Sequence, residues 1–207
     1  MGTPAPPLVE ITVGDQPAAW ASAGFAVGDD GATGVGTVGL RLAGPAGGRG
    51  ITAWALADAG GDIDGLPTAA ADLESLPTGP PDHANGVLSI DHLVVATPNL
   101  ERTTAALEDR GILARRTREA GRGRAQRFFR LGEVILELVG PTEPAGDGPA
   151  SFWGLAFTVA DLDATAAHLS GRIGETKAAV QPGRHIATLH ASDEISVPVA
   201  FMSQARR

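Results

Sequence analysis

Cysteine is absent from the 207 residues, which rules out disulfides and thiolate metal sites and fits a cytoplasmic protein. Long apolar runs are absent too. None approaches the roughly 20 residues that a membrane-spanning helix needs, so no membrane partner is expected. The opening MGTPAPPLVE has no basic stretch followed by an apolar core, so no secretory signal is expected. Phosphate loop, serine elbow and HExxH are all missing, and the GRGRAQR turn lacks the strand-to-helix context of a nucleotide fingerprint. Excess positive charge is missing as well: the net charge is −8, which argues against nucleic-acid binding. Yet Arg110, Arg115, Arg116, Arg118, Arg122, Arg124, Arg127 and Arg130 place eight of the sixteen basic residues within 21 positions. Such a run marks a local anion site or a solvated hairpin.

What the chain has in quantity is repetition. IDHLVVATPNLERTTAALEDRG (90–111) recurs as WGLAFTVADLDATAAHLSG (153–171) and, more loosely, as LVEITVGDQPAAWASAG (8–24). The strand LGEVILELVGP (131–141) is echoed by VGTVGLRLAGP (35–45) and EISVPVAFMS (194–203). In the central copy, β-branched residues predict a strand over 89–96. Asn99 then caps a helix carrying Leu100, Thr103, Thr104 and Leu107, which Gly111 stops. Three more strands follow, giving β-α-β-β-β. The last copy has the same order, with Asp161 as cap, Gly171 as stop and strands at IGETKAA, HIATLHA and ISVPVAF. Pro198 predicts an edge or an irregularity in that final strand. In the first copy Asp15 is the expected helix cap and GFAV (24–27) a strand, with too little chain before VGLRLAG for another. ITAWALA (51–57) resembles the start of the last copy without a helix after it, and 58–87, rich in Gly, Pro and Ala, reads as a linker.

Tandem units of this kind, with His92 on a first strand and Glu137 on a closing strand, resemble the vicinal oxygen chelate superfamily of glyoxalases, resistance proteins and extradiol dioxygenases. DHLVVATPNLERT and LGEVILELVGP carry the resemblance, and DHANG (82–86) resembles a short glyoxalase-like motif. The implied fold is α+β: paired β-α-β-β-β units whose curved mixed sheets enclose a cleft. A glyoxalase-like domain at 88–204, made of units 88–141 and 151–204, is expected to follow a shortened relative at 8–57. Three units, an odd number, suggest a homodimer.

The resemblance implies that His92 and Glu137 bind a divalent metal (Zn, Fe, Mn, Co or Ni), with Glu137 also catalytic. The chemistry would be that of a lyase, isomerase or dioxygenase acting on a small oxygenated or anionic metabolite. Alignment of the copies puts Gly154 and Ala200 where a second His and Glu would stand, and about Leu8 and Arg41 at the first unit's positions. A metal-free small-molecule binder of the same fold is therefore the alternative. From the residues alone, His92 is a metal ligand or a histidine hydrogen-bonded at the cleft wall. Glu137, set among Ile, Leu and Val, needs a metal, an arginine or water. Arg127 and Arg130 are candidate anion binders. His185 is a candidate substitute ligand or a surface histidine. Trp153, like Trp54, either stacks on a ligand or packs between units. His83 reads as a loop residue and His168 as a helix-surface residue.

Overall fold

The computed structural model describes residues 5–72, 82–192 and 194–205. Its first part runs through β1 (Leu8–Val13), α1 (Pro17–Ser22), β2 (Ala32–Val35), β3 (Val38–Leu42), β4 (Ile51–Ala57), β5 (Gly61–Ile63) and β6 (Leu66–Ala71). These strands form one mixed sheet in the order β2-β3-β1-β4-β6-β5. β1 lies parallel to β3, β4 lies parallel to β6, and β1 meets β4 antiparallel. Reading outward from the β1–β4 seam, each half repeats one path: opening strand, closing strand, then the strand between them in sequence. Two shortened units therefore pair here, where the sequence predicts one.

Three expectations change as a result. Residues 58–71 are not linker. Asp64 (φ 52°) and Gly65 (φ 90°) form a two-residue turn between the buried Ile63 and Leu66, and β5 and β6 pair across it. Of the rest of the expected linker, residues 73–81 lie outside the described residues. GFAV is not a strand. Phe25 is buried instead, and the short segment after it supplies β2, paired with β3. With an even number of units, the premise behind the expected homodimer does not hold.

The second part runs through β7 (Val87–Ala96), α2 (Leu100–Glu108), β8 (Arg116–Gly121), β9 (Arg124–Leu131) and β10 (Val134–Pro141). It continues through β11 (Ser151–Val159), α3 (Leu162–His168), β12 (Lys177–Ala178), β13 (His185–Thr188) and β14 (Val199–Ser203). The sheet order β12-β13-β14-β11-β7-β10-β9-β8 repeats the same path twice about the antiparallel β7–β11 seam. Asn99 caps α2 by accepting from the Arg102 amide, and Leu100, Thr103, Thr104 and Leu107 form its buried face, as their spacing requires. Asp161 caps α3 through the amides of Asp163 and Ala164. Asp15 does not cap α1. Its carboxylate is buried and accepts from the Trp20 indole at 3.0 Å and from the Ser196 amide at 3.1 Å. The IGETKAA segment narrows to the two residues of β12, and β14 begins only after Pro198, which has no N–H for the ladder.

The two sheets share one core. Alternation decides which face each strand buries: Leu93 and Val95 on β7 and Leu136 and Leu138 on β10 are fully buried, while His92, Val94 and Glu137 face the other way. On the first sheet Ile11, Val13 and Leu40 do the same. Aromatic pairs join the layers: Trp20 and Phe25 meet Phe157 at 6.2 and 5.2 Å, and Trp54 meets Phe152 at 5.4 Å. The sheets thus pack back to back and turn their concave faces outward.

Candidate functional site

The concave face of the eight-stranded sheet holds a cleft of about 500 Å³. Val94, Val139, Leu155, Ile186 and Val199 give it apolar walls, and His92, Glu137, Gln126 and Arg124 give it polar groups. Strand alternation produces this set. His92 and Val94 are two apart on β7, Glu137 and Val139 on β10, and Arg124 and Gln126 on β9. His92 Nε2 stands 3.9 Å from Glu137 Oε2, and both side chains are largely buried, at 17% and 15% exposure.

Each partner is held from behind. Asp91 Oδ2 lies 2.9 Å from His92 Nδ1. A register shift in the β7–β11 ladder, where Ala156 opposes His92 but Phe157 opposes Ile90, makes Asp91 the extra residue of a bulge. Its other oxygen accepts from Arg184 Nη1 at 2.5 Å and from the Thr158 hydroxyl at 3.2 Å. Burial opposes the charge on Asp91 most strongly. Hydrogen bonds from His92 and Arg184 outweigh it and hold the carboxyl at about 2. On the other side, the Gln126 amide nitrogen donates to Glu137 Oε1. The Gln126 carbonyl accepts from Arg118 Nε at 2.8 Å, which fixes the orientation of the amide.

Glu137 thus does not meet the expected arginine directly. A neutral amide contacts it, and an arginine stands one step behind. Trp153 lines the cleft with 57% exposure, whereas Trp54 is buried between the sheets. Arg127 points to the helix face, where it donates to Glu101 and to Thr104 at 2.8 Å; its odd position on β9 turns it away from the cleft. Arg130 is exposed and donates to the Glu133 carbonyl at 2.9 Å, at the far end of the strand. His185 is exposed on β13, and its neighbour Ile186 enters the cleft in its place. His83 lies in a loop, as expected, but is buried there, while His168 is exposed on its helix as expected. The groups that sequence reasoning passed over are Asp91, Gln126 and Arg184, and Arg118 figures in it only as part of the basic run. Period-two spacing from Arg124 and adjacency to His92 were the available signals for Gln126 and Asp91.

The register also locates the equivalent positions in every unit. His92 opposes Ile135, two residues before Glu137, and Glu10 opposes Gly39, two residues before Arg41. Glu10, not Leu8, is therefore the counterpart of His92. Arg41 bonds Glu10 through Nε at 3.2 Å. Gly154 opposes Val94 as Ala156 opposes His92, so Gly154 and Ala200 do occupy the second-unit positions.

These donors do not fit a resident divalent metal. Among the described residues no three His, Asp or Glu side chains gather around one point. A β-carbon at Gly154 would sit 2.8 Å from the Pro198 carbonyl oxygen, so the backbone leaves no room for a ligand side chain there. Ala200 has no donor, Gln126 Oε1 is occupied by the Arg118 guanidinium, and Glu137 Oε1 is occupied by Gln126. Two free donors remain, fewer than the three protein ligands typical of a catalytic zinc site.

Paired units with this strand order, opening onto a concave cleft, define the vicinal oxygen chelate, or glyoxalase-like, fold. Among solved structures, a mutant of 4-hydroxymandelate synthase from Streptomyces coelicolor matches with a TM-score of 0.65 at 13% identity, covering 99% of this chain and 94% of that one. Methylmalonyl-CoA epimerase from Mycobacterium tuberculosis matches with a TM-score of 0.48 at 18% identity, covering 58% and 91%. The Streptomyces coelicolor epimerase, in complex with 2-nitronate-propionyl-CoA, matches with a TM-score of 0.47 at 23% identity, covering 57% and 96%. No protein-family model and no curated protein matches the sequence.

Proposed function

We propose that the cleft of the eight-stranded sheet binds a small, largely apolar molecule without a resident metal ion. The observation that carries this reading is the second-unit wall: backbone closes the position at Gly154, and at the other position Ala200 lines the cavity with a methyl group in place of a ligand. A cavity of this size lined mostly by aliphatic side chains, with a few convergent polar groups, has the character of a small-molecule site. The metal-dependent lyase, isomerase or dioxygenase chemistry implied by the resemblance needs donors that these positions do not supply.

Two measurements test the proposal. Protein purified without chelators is expected to carry metal well below one equivalent. Binding of the uncharged fluorophore N-phenyl-1-naphthylamine is expected to saturate near one site. Ala200→Phe, which fills the cavity from its wall, is expected to weaken that binding at least tenfold while the melting temperature shifts by only a few degrees. Stoichiometric metal that disappears in both His92→Ala and Glu137→Ala would overturn the reading, and so would fluorophore binding indifferent to Ala200→Phe.

A further inference from the structure

We infer that His92 and Glu137 form a two-acceptor site that selects a hydrogen-bond donor, foremost a primary ammonium, on the ligand's head, with Asp91 and Gln126 as positioning residues. The inference rests on the cleft-binding reading and names the ligand class.

Donor and acceptor bookkeeping carries it. An ionised carboxylate can only accept, so with Asp91 Oδ2 at 2.9 Å the Nδ1 of His92 holds the proton. Arg184 and Thr158 both donate to the other oxygen of Asp91, which keeps that carboxylate in place. In the neutral ring Nε2 then carries a lone pair, and it points into the cleft. Gln126 arrives at the same result for Glu137. Because Arg118 occupies the amide oxygen, the amide must turn its NH₂ to Glu137 Oε1, which leaves Oε2 as the free acceptor.

Two acceptors therefore face each other across 3.9 Å, too far for a hydrogen bond between them and close enough for one donor atom to reach both. A group with at least two hydrogens, placed ~2.8–2.9 Å from each, completes the triangle. An ammonium does so and also neutralises Glu137, which Arg118 reaches only through Gln126; Arg124 lines the same cleft. A hydroxyl supplies one donor and no charge. A carboxylate meets two acceptors and is repelled. The apolar walls strengthen each of these interactions by excluding water.

The test uses a matched series of hexylamine, hexanol and hexanoate, titrated at pH 8 against bound N-phenyl-1-naphthylamine, which is uncharged, together with nitrogen-15 NMR of the histidines. Hexylamine is expected to displace the fluorophore at least tenfold more tightly than hexanoate, with hexanol between them. Glu137→Gln is expected to bring the amine-to-alcohol ratio close to one, and Gln126→Ala to lower it severalfold. His92 is expected to show the Nδ1–H tautomer, and Asp91→Asn is expected to convert it to a mixture. Equal displacement by all three compounds, tighter binding of hexanoate, or an Nε2–H tautomer in the parent protein would overturn the inference and leave the cleft reading standing. Failure of the fluorophore itself to bind would overturn both.

Discussion

His83 sits in a stretch, DHANG, whose sequence shows no strand or helix period, yet it is 4% exposed. Its Nδ1 accepts from the Ala26 amide at 3.0 Å, and its Nε2 lies 3.0 Å from the Gly34 carbonyl. One nitrogen must accept and the other donate, so the ring is neutral in the folded protein. Burial pushes its pKa below the ordinary 6.5, against the weaker opposing pull of the Gly34 carbonyl and Asp82. The unfolded chain therefore binds a proton that the folded one refuses. The resulting stability is fully present above about pH 6.5 and is lost as pH falls through the lower folded value. Chemical denaturation at pH 7.5 and at pH 5 is expected to show that loss, and His83→Gln is expected to flatten the slope between the two. An unchanged slope would mean that His83 is not the proton acceptor. Its partners lie about fifty residues upstream, which is why spacing along the chain could not reveal them. Asn99 and Asp161 were legible because capping is local.

At the scale of elements, the β5–β6 hairpin shows where composition misleads. Asp-Gly between two buried apolar residues is a strong local hairpin signal. In this sequence it lies inside a run of Gly, Pro, Asp and Ala that reads as linker. The hairpin is held by the central unit: Asp64 pairs with Arg102 at 2.7 Å and accepts from Thr103, and Arg110 donates to the carbonyls of Gly60 and Asp62. Two arginines thus bind within the molecule, one of them from the basic run that suggested an anion site. Gly65 combines a φ of 90° with a site where a β-carbon would stand 2.2 Å from Pro149. Gly65→Val is expected to cost at least ~1–3 kcal/mol for the backbone conformation alone, read as a lower urea midpoint. A midpoint unchanged within error would show that the hairpin is not part of the cooperative fold. The β-α-β-β-β order of the two later units was readable because caps, stops and alternation recur. The pairing of Gln126 with Glu137 was not, because it depends on the register between β9 and β10.

For the whole molecule, four units in two pairs give each sheet the same site plan. The leading unit contributes a polar pair, His92 with Glu137 or Glu10 with Arg41, and register places small residues on the trailing unit of each sheet, Gly154 and Ala200 or Ala53 and Ala69. In the first sheet the pair is already satisfied as an ion pair, with side chains 46% and 30% exposed. In the second sheet the two groups do not bond each other, and they line the cleft. The repeat thus foretold the scaffold more completely than the chemistry.

The same architecture bears on whether 88–204 is an independent domain. Its convex face carries Phe152 and Phe157, which the first sheet covers with Trp54, Trp20 and Phe25. His83 and Asn85, just upstream, hydrogen-bond to the carbonyls of Gly34 and Ala23. Ser196, from the last unit, donates to the buried Asp15 of the first. A fragment spanning 88–204 would expose that apolar face to water at roughly 25 cal/mol per Å². It is expected to bind anilinonaphthalene sulfonate at several sites and to aggregate or melt well below the full chain. The full chain is expected to unfold in one transition whether followed by tryptophan fluorescence or by circular dichroism. Two separated transitions, or a fragment as stable as the whole, would show that each sheet closes a core of its own and that the shared layer between them is only a docking contact.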